Sequence, residues 1–251
     1  MKIIYGPVPS WRLGRSLGVD PICSMEKICS FDCIYCQLGK TKTKTIERKA
    51  YIDIGQMKEE LEKADKKDID VITFSGTGEP TLNSQLGEMI EFAKAFNFPV
   101  AVLTNSSFLH DSTVRSELCS ADIVAAKSDA PDEETFQKIN RPCCDISFRA
   151  ILDGIKSFRK EYRGKLALQM MFIDANKEHA ERMAGLAREI KPDEVQLDTP
   201  LRRSAVPPLS QTEMEEIEKS FEGLPFISVY RKKTSRTVPF DIHETAIRRP
   251  E

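Results

Sequence analysis

No stretch of 18 or more apolar residues occurs in this chain, so a membrane-spanning helix is excluded as a reading of the sequence. The amino terminus, Met1-Lys-Ile-Ile-Tyr-Gly-Pro7, has no apolar signal core, and the expected location is cytoplasmic. Net charge is also scarce: the formal balance is only −2, which argues against a chain that binds polyanions over its whole surface. There are no internal repeats and no low-complexity linker. Above all, the cysteines Cys29, Cys33 and Cys36 have no fourth cysteine after them at ferredoxin spacing.

What is present fits a soluble globular protein. With 251 residues and 40% hydrophobic side chains, the chain is long enough for one α/β barrel with a sizeable core. The seven cysteines of a cytoplasmic chain are expected to be reduced, metal-bound or buried rather than disulfide-paired. Charge is uneven: residues 1–50 hold nine Lys/Arg against four Asp/Glu, densest over residues 40–49. A solvated loop and a landing strip for a phosphate-bearing substrate or RNA are the two readings of that stretch.

From residue 57 onward, apolar β-rich runs alternate with helical stripes. Leu86, Met89, Ile90, Ala93 and Phe96 share one helical face, as do Ile151, Leu152, Ile155 and Phe158, and then Ala180, Met183, Ala184, Ala187 and Ile190. Short helices are expected at residues 57–64, 111–118 and 213–221. Strands are expected at residues 17–22, 69–74, 100–104, 123–127, 166–173 and 194–198. Repeated βα units imply parallel strands joined by right-handed crossovers. The expected fold is therefore α/β: a partial (β/α)6 TIM-like barrel over residues 1–223, with a cluster loop at 23–40 and a short, core-poor C-terminal extension at 224–251. In such a barrel the chemistry sits on loops at the carboxyl ends of the strands. That places the cysteine loop and residues 76–80, 104–107, 128–129 and 198–200 on one face.

Three thiolates at C-x3-C-x2-C can take three corners of a cubane iron–sulfur cluster and leave one iron open. Zinc held by Cys33, Cys36, Cys29 and Cys23 is an alternative. A structural four-cysteine cluster would need a further ligand. Cys23, Cys143 and Cys144 could serve an auxiliary cluster, a reactive thiol or inert packing, and Cys119 reads as structural.

The run Cys29-Ser-Phe-Asp-Cys33-Ile-Tyr35-Cys36 resembles the signature of the radical S-adenosylmethionine (radical SAM) superfamily. Ser75-Gly76-Thr77-Gly78-Glu79-Pro80 stands where that superfamily carries a Gly-Gly-Glu-Pro motif, and Thr104-Asn105 and Ser128-Asp129 follow the next two strands. The opening Tyr5-Gly-Pro-Val-Pro-Ser-Trp-Arg12-Leu-Gly-Arg15 is similar to that of single-cluster Fe–S oxidoreductases distantly related to wyosine tRNA-modifying enzymes. The resemblance implies a [4Fe–4S] cluster on Cys29, Cys33 and Cys36. It also implies S-adenosylmethionine (SAM) contacts from Tyr35, Gly76, Gly78, Glu79, Thr104, Asn105, Ser128, Asp129, Gln169 and Leu197. The implied activity is reductive cleavage of SAM to a 5′-deoxyadenosyl radical that abstracts hydrogen from an unidentified substrate, with flavodoxin or ferredoxin as electron donor. Each of these loops has a structural alternative: a βα turn at residues 76–80, helix caps at Ser128–Asp129 and Thr104–Asn105. Arg12, Arg15, Arg141 and Cys143 are the candidate substrate residues. The substrate class stays open between a small molecule, a peptide and RNA, the last giving a wyosine-like tRNA-modifying enzyme. A non-catalytic zinc or Fe–S module is the remaining alternative.

Overall fold

The computed structural model describes residues 1–143 and 146–250. Cys144 lies outside the described residues, so its part in any second cluster is not addressed.

The chain begins with an antiparallel hairpin, β1 (Ile4–Ser10) and β2 (Gly14–Val19). A two-residue pair, β3 (Ile28–Cys29) and β4 (Thr43–Lys44), frames the cysteine loop. The βα alternation follows: α1 (Ile54–Lys63), β5 (Val71–Phe74), α2 (Leu86–Lys94), β6 (Val100–Thr104), α3 (Ser112–Leu118), β7 (Ile123–Lys127), α4 (Glu133–Asn140), α5 (Phe148–Glu161), β8 (Lys165–Met171), α6 (Ala180–Ile190), β9 (Glu194–Asp198), α7 (Gln211–Ser220), β10 (Phe226–Ser228) and α8 (Ile242–Arg248). Among the described residues, no helix is long and apolar enough to cross a membrane.

One sheet takes the order β1-β2-β5-β6-β7-β8-β9-β10, parallel everywhere except at β1–β2. Each new parallel strand adds to the same edge, the winding of a barrel rather than of a doubly wound sheet. β1 and β10 are not paired to each other, so the barrel stays partial. The six strands expected from periodicity are β2 and β5–β9. The sheet carries two more. β1 escapes periodicity because its sequence, Ile-Tyr-Gly-Pro-Val-Pro-Ser, is punctuated by proline and a register shift between Tyr5 and Val8. β10 is three residues long. The helix α4 is likewise absent from the sequence reading, which has a loop there.

Strand alternation builds the site. On β2, β5, β8 and β9, one parity packs under the helices: Leu17 and Val19, Ile72 and Phe74, Leu166, Leu168 and Met170, Val195 and Leu197. The other parity faces the barrel interior and is polar toward the carboxyl ends. Ser16 Oγ donates to Thr73 Oγ1 at 2.7 Å, and Gln169 Nε2 donates to Asp198 Oδ2 at 3.0 Å. The helices seal the outside. In α5, Ser147 caps by accepting from the Ala150 amide, and Ile151, Leu152, Ile155 and Phe158 are buried.

The segment after residue 223 adds few apolar side chains to the core but is tied to the barrel by its backbone and by polar contacts. β10 pairs in parallel with β9. The Phe240 amide donates to the Gly6 carbonyl at 2.8 Å, and α8 lies against β1. Arg248 of α8 is buried and ion-paired with Asp20 at 3.0 Å.

Candidate functional site

The cysteine loop is shaped by short-range turns and by α4. The Cys36 amide donates to the Cys33 carbonyl at 3.1 Å. The Ile34 and Asp32 amides donate to the carbonyls of Ile139 (2.9 Å) and Asn140 (3.1 Å), at the end of α4. Phe31 packs edge-on against Phe136 of the same helix, with ring centroids 5.4 Å apart.

Cys29, Cys33 and Cys36 line one cavity of about 180 Å³, together with Gly76, Gly78, Glu79, Thr104, Asn105 and Gln169. Burial pushes the Cys29 thiol up to about 12 and raises Cys33 as well. Side-chain amides approach two of the sulfurs, Asn105 Nδ2 to Cys29 Sγ and Asn140 Nδ2 to Cys33 Sγ, each at 3.5 Å. Lys27 is buried beside them. Burial disfavours its charge, but Cys36 and Cys29 outweigh that and raise its pKa. Among the described residues, no three His, Cys, Asp or Glu side chains are placed so that they could hold one metal ion. The thiols of a cubane bind three separate irons.

Two glycines let a second loop close over the cysteines. A Cβ on Gly78 would lie 1.8 Å from the Ile28 carbonyl oxygen, whose other partner is the Glu79 amide at 3.2 Å. Gly76, at φ +153°, abuts the Asp20 carboxylate, where a Cβ would come within 2.2 Å. Behind them Glu79 is only 2% exposed. Its carboxylate accepts from the Thr81 amide (3.1 Å), Thr81 Oγ1 (2.7 Å), Thr104 Oγ1 (2.7 Å) and the Asn105 amide (2.7 Å). Burial raises its pKa while these donors pull it back. All four are neutral, and among the described residues no cation pairs with Glu79.

Tyr35 is buried between the cysteine cavity and a second one of about 260 Å³, and it lines both. Its hydroxyl donates to Asp129 Oδ2, and Lys127 Nζ stands 4.7 Å from the ring centroid. Cys36, Gly76, Lys127 and Gln169 also line both cavities.

The remaining expected site residues fall elsewhere, for identifiable reasons. Asp129 is spent on protein donors: Tyr35, Asn140 Nδ2 at 3.0 Å and the Met171 amide at 2.9 Å. With Ser128 it lines a small crevice by Phe136 and Phe148 rather than the cysteine cavity. Leu197 lies on the helix-facing parity of β9, and its neighbour Asp198 takes the interior position. Arg12 lines the second cavity. Arg15 does not: Asp70 (2.8 Å) and Asp68 (3.3 Å) hold its guanidinium at a separate groove. Arg141 is the exposed left-handed cap of α4. Cys143 sits beside the cysteine loop through its amide, which donates to the Ser30 carbonyl at 2.7 Å. Cys23 stands apart, its sulfur accepting from Arg248 Nη2 at 3.4 Å, and burial pushes its thiol up to about 11. Cys119 is exposed. Lys27, Lys127 and Arg202 were not among the sequence candidates, whereas Asn140 stood there with Arg141 as an anion anchor, Asp198 as a strand-end position and Arg249 as part of the basic C-terminal segment.

Residues 24–187 match the radical SAM superfamily. The chain belongs to that superfamily. A UPF0026 protein of Synechocystis is 43% identical over 79% of this chain and 76% of its own length. Among solved structures, Streptococcus suis SuiB bound to S-adenosylmethionine superposes with a TM-score of 0.65 at 12% identity, over 86% of this chain and 50% of SuiB. This chain thus spans half the length of SuiB. TYW1 with a lysine–pyruvate adduct bound gives a TM-score of 0.62 at 16% identity, over 84% of this chain and 74% of that one. Both are likenesses of fold. As a radical SAM enzyme, the protein uses a [4Fe–4S] cluster and S-adenosylmethionine. The donor set fits that pair. Three thiols with amide donors and a buried cation suit an anionic cluster. A buried carboxylate whose protein partners are all neutral suits a cationic ligand.

Proposed function

We propose that Cys29, Cys33 and Cys36 ligate the cluster and that Tyr35, Gly76, Gly78, Glu79, Thr104, Asn105 and Gln169 hold SAM beside it, next to a substrate in the adjoining cavity. The observation that carries this reading is the meeting of the three thiols and the Glu79 carboxylate in one cavity. Held by these residues, the pair would supply radical chemistry, a 5′-deoxyadenosyl radical able to take a hydrogen atom from the substrate, with a flavodoxin or ferredoxin as the electron source.

The chain's own residues position and insulate. Asn105 and Asn140 offer N–H donors to two ligand sulfurs and Lys27 offers a neighbouring positive charge, so negative charge on the ligand set is favoured. Glu79 is pre-oriented by four donors, so it meets an ammonium group without reorganising. Gly76 and Gly78 bring loop backbone close to Asp20 and Ile28, beside the cysteine cavity that both glycines line. Asp129 fixes the Tyr35 ring from behind, so its role here is positioning.

Anaerobic reconstitution tests the reading. A brown protein with about four irons per chain is expected, and Cys33→Ala should hold markedly fewer. Colourless protein carrying one zinc ion would end this reading.

A further inference from the structure

The second cavity has a feature that none of the residues proposed to hold the cofactors supplies. Arg12, from the β1–β2 turn, Arg202, from the loop after β9, and Arg249, just past α8, all line it, and none of them lines the cysteine cavity. Nε and Nη1 of Arg12 and Nη1 of Arg202 are fully buried and have no hydrogen-bond partner. Arg249 gives one nitrogen to the Pro9 carbonyl at 3.1 Å. Arg248 also lines the cavity but is neutralised by Asp20 and Glu244. The one carboxylate that lines it among the described residues is Asp198, which already accepts from Gln169 (3.0 Å) and the Thr199 amide (2.9 Å). Lys127, on the shared wall, stands 3.8 Å from Asp129.

Arg12, Arg202 and Arg249 are half-buried, and buried guanidinium nitrogens without acceptors, as on Arg12 and Arg202, are costly unless something supplies the missing acceptors and charge. Burial first, and then Arg249, pull Arg202 down to about 10, and burial likewise lowers Arg12 and Arg249, although the charge of Asp198 works against this at Arg12 and Arg202. The guanidinium fork matches the paired oxygens of phosphate and carboxylate. A space of about 260 Å³ admits a small molecule rather than a folded partner. We propose that this is the substrate cavity and that it takes a small metabolite carrying a phosphate or carboxylate group, gripped by Arg12, Arg202 and Arg249. The rest of that molecule then lies toward Gly76, Gln169 and Cys36, which both cavities share. This rests on the reading that the cysteine cavity houses the cofactors.

The test uses reconstituted, SAM-loaded protein titrated calorimetrically with inorganic pyrophosphate, citrate and neutral glucose. One of the two anions should bind and glucose should not. Tighter pyrophosphate identifies a phosphate-bearing substrate, and tighter citrate a carboxylate-bearing one. Arg12→Gln and Arg202→Gln should each weaken the anion at least tenfold while iron content and SAM affinity hold. Without anion, Arg202→Gln should melt no lower than the wild type, because it removes a charge that burial and Arg249 already disfavour. Failure of both anions to bind, equal affinity in the variants, or lower melting of Arg202→Gln without anion would each overturn the proposal. Wild-type protein that binds the anion but neither iron nor SAM would instead overturn the cofactor reading and leave the anion site standing.

Discussion

Glu79 shows most directly how one side chain can be committed to a charge it does not find within the protein. Its carboxylate is buried, and its four protein donors are neutral. Glu79→Gln keeps the shape and removes the charge. Charge-assisted hydrogen bonds contribute about 1.5–3 kcal/mol, so SAM should bind roughly tenfold to a hundredfold more weakly, with iron content intact. Equilibrium dialysis with labelled SAM measures this, and unchanged affinity would mean that the carboxylate does not meet the ligand. That Glu79 and the three cysteines share one cavity was legible in the sequence because they stand at fixed spacing on loops beside strand ends. Leu197 was misplaced because a one-residue parity decides which side chain of a strand enters the barrel, and a five-residue apolar–polar run does not reveal which parity faces inward. Ser128 and Asp129 sit at the expected strand end, but no sequence pattern shows that Asp129 is already saturated by Tyr35, Asn140 and the Met171 amide.

At the scale of elements, α4 matters most and was not foreseen. It has eight residues, and its buried face mixes Phe136 and Ile139 with Thr135 and Asn140, too few apolar positions for a helical stripe to register. Yet its end holds the amides of Asp32 and Ile34, and Asn140 reaches Cys33. Asp132 starts the helix by accepting from the Thr135 amide at 2.9 Å. That bond, more than Arg182, which adds to it, pulls the carboxyl down to about 2. Asp132→Ala should cost about 1 kcal/mol of stability at neutral pH. Because the folded pKa lies below the unfolded value of about 3.9, the contribution is complete above that value and fades as pH falls toward 2. Urea unfolding of the two proteins at pH 7 and near pH 2.5 should therefore show a gap that narrows in acid. A gap that is the same at both pH values would detach the cap from the carboxylate's charge. The six central strands and most flanking helices were legible because each buries a continuous apolar run or stripe. The short edge strands were not, because their pairing comes from the sheet.

Across the whole molecule, the two ends of the chain meet at the site. Arg248 and Asp20 are 228 residues apart in sequence and both buried, and Asp20 also accepts from the amide and hydroxyl of Thr77 in the glycine loop. A contact of that separation leaves no local trace, so the sequence reading saw only a basic tail. Arg248→Met should leave Asp20 buried and unpaired and cost about 3–5 kcal/mol by chemical denaturation. A loss below about 1 kcal/mol would show the pair to be incidental. The partial barrel, then, presents polar strand parity inward, closes its cysteine loop with α4 and returns its C-terminal arginines to a cavity beside the thiols. The central claim is that this cavity system cleaves SAM, and the most direct measurement is 5′-deoxyadenosine formed under anaerobic conditions with dithionite and SAM. Reconstituted wild-type protein should produce it, even slowly and without substrate, and Cys33→Ala should produce none. Equal yields from both proteins, or none from a fully iron-loaded wild type, would contradict the account.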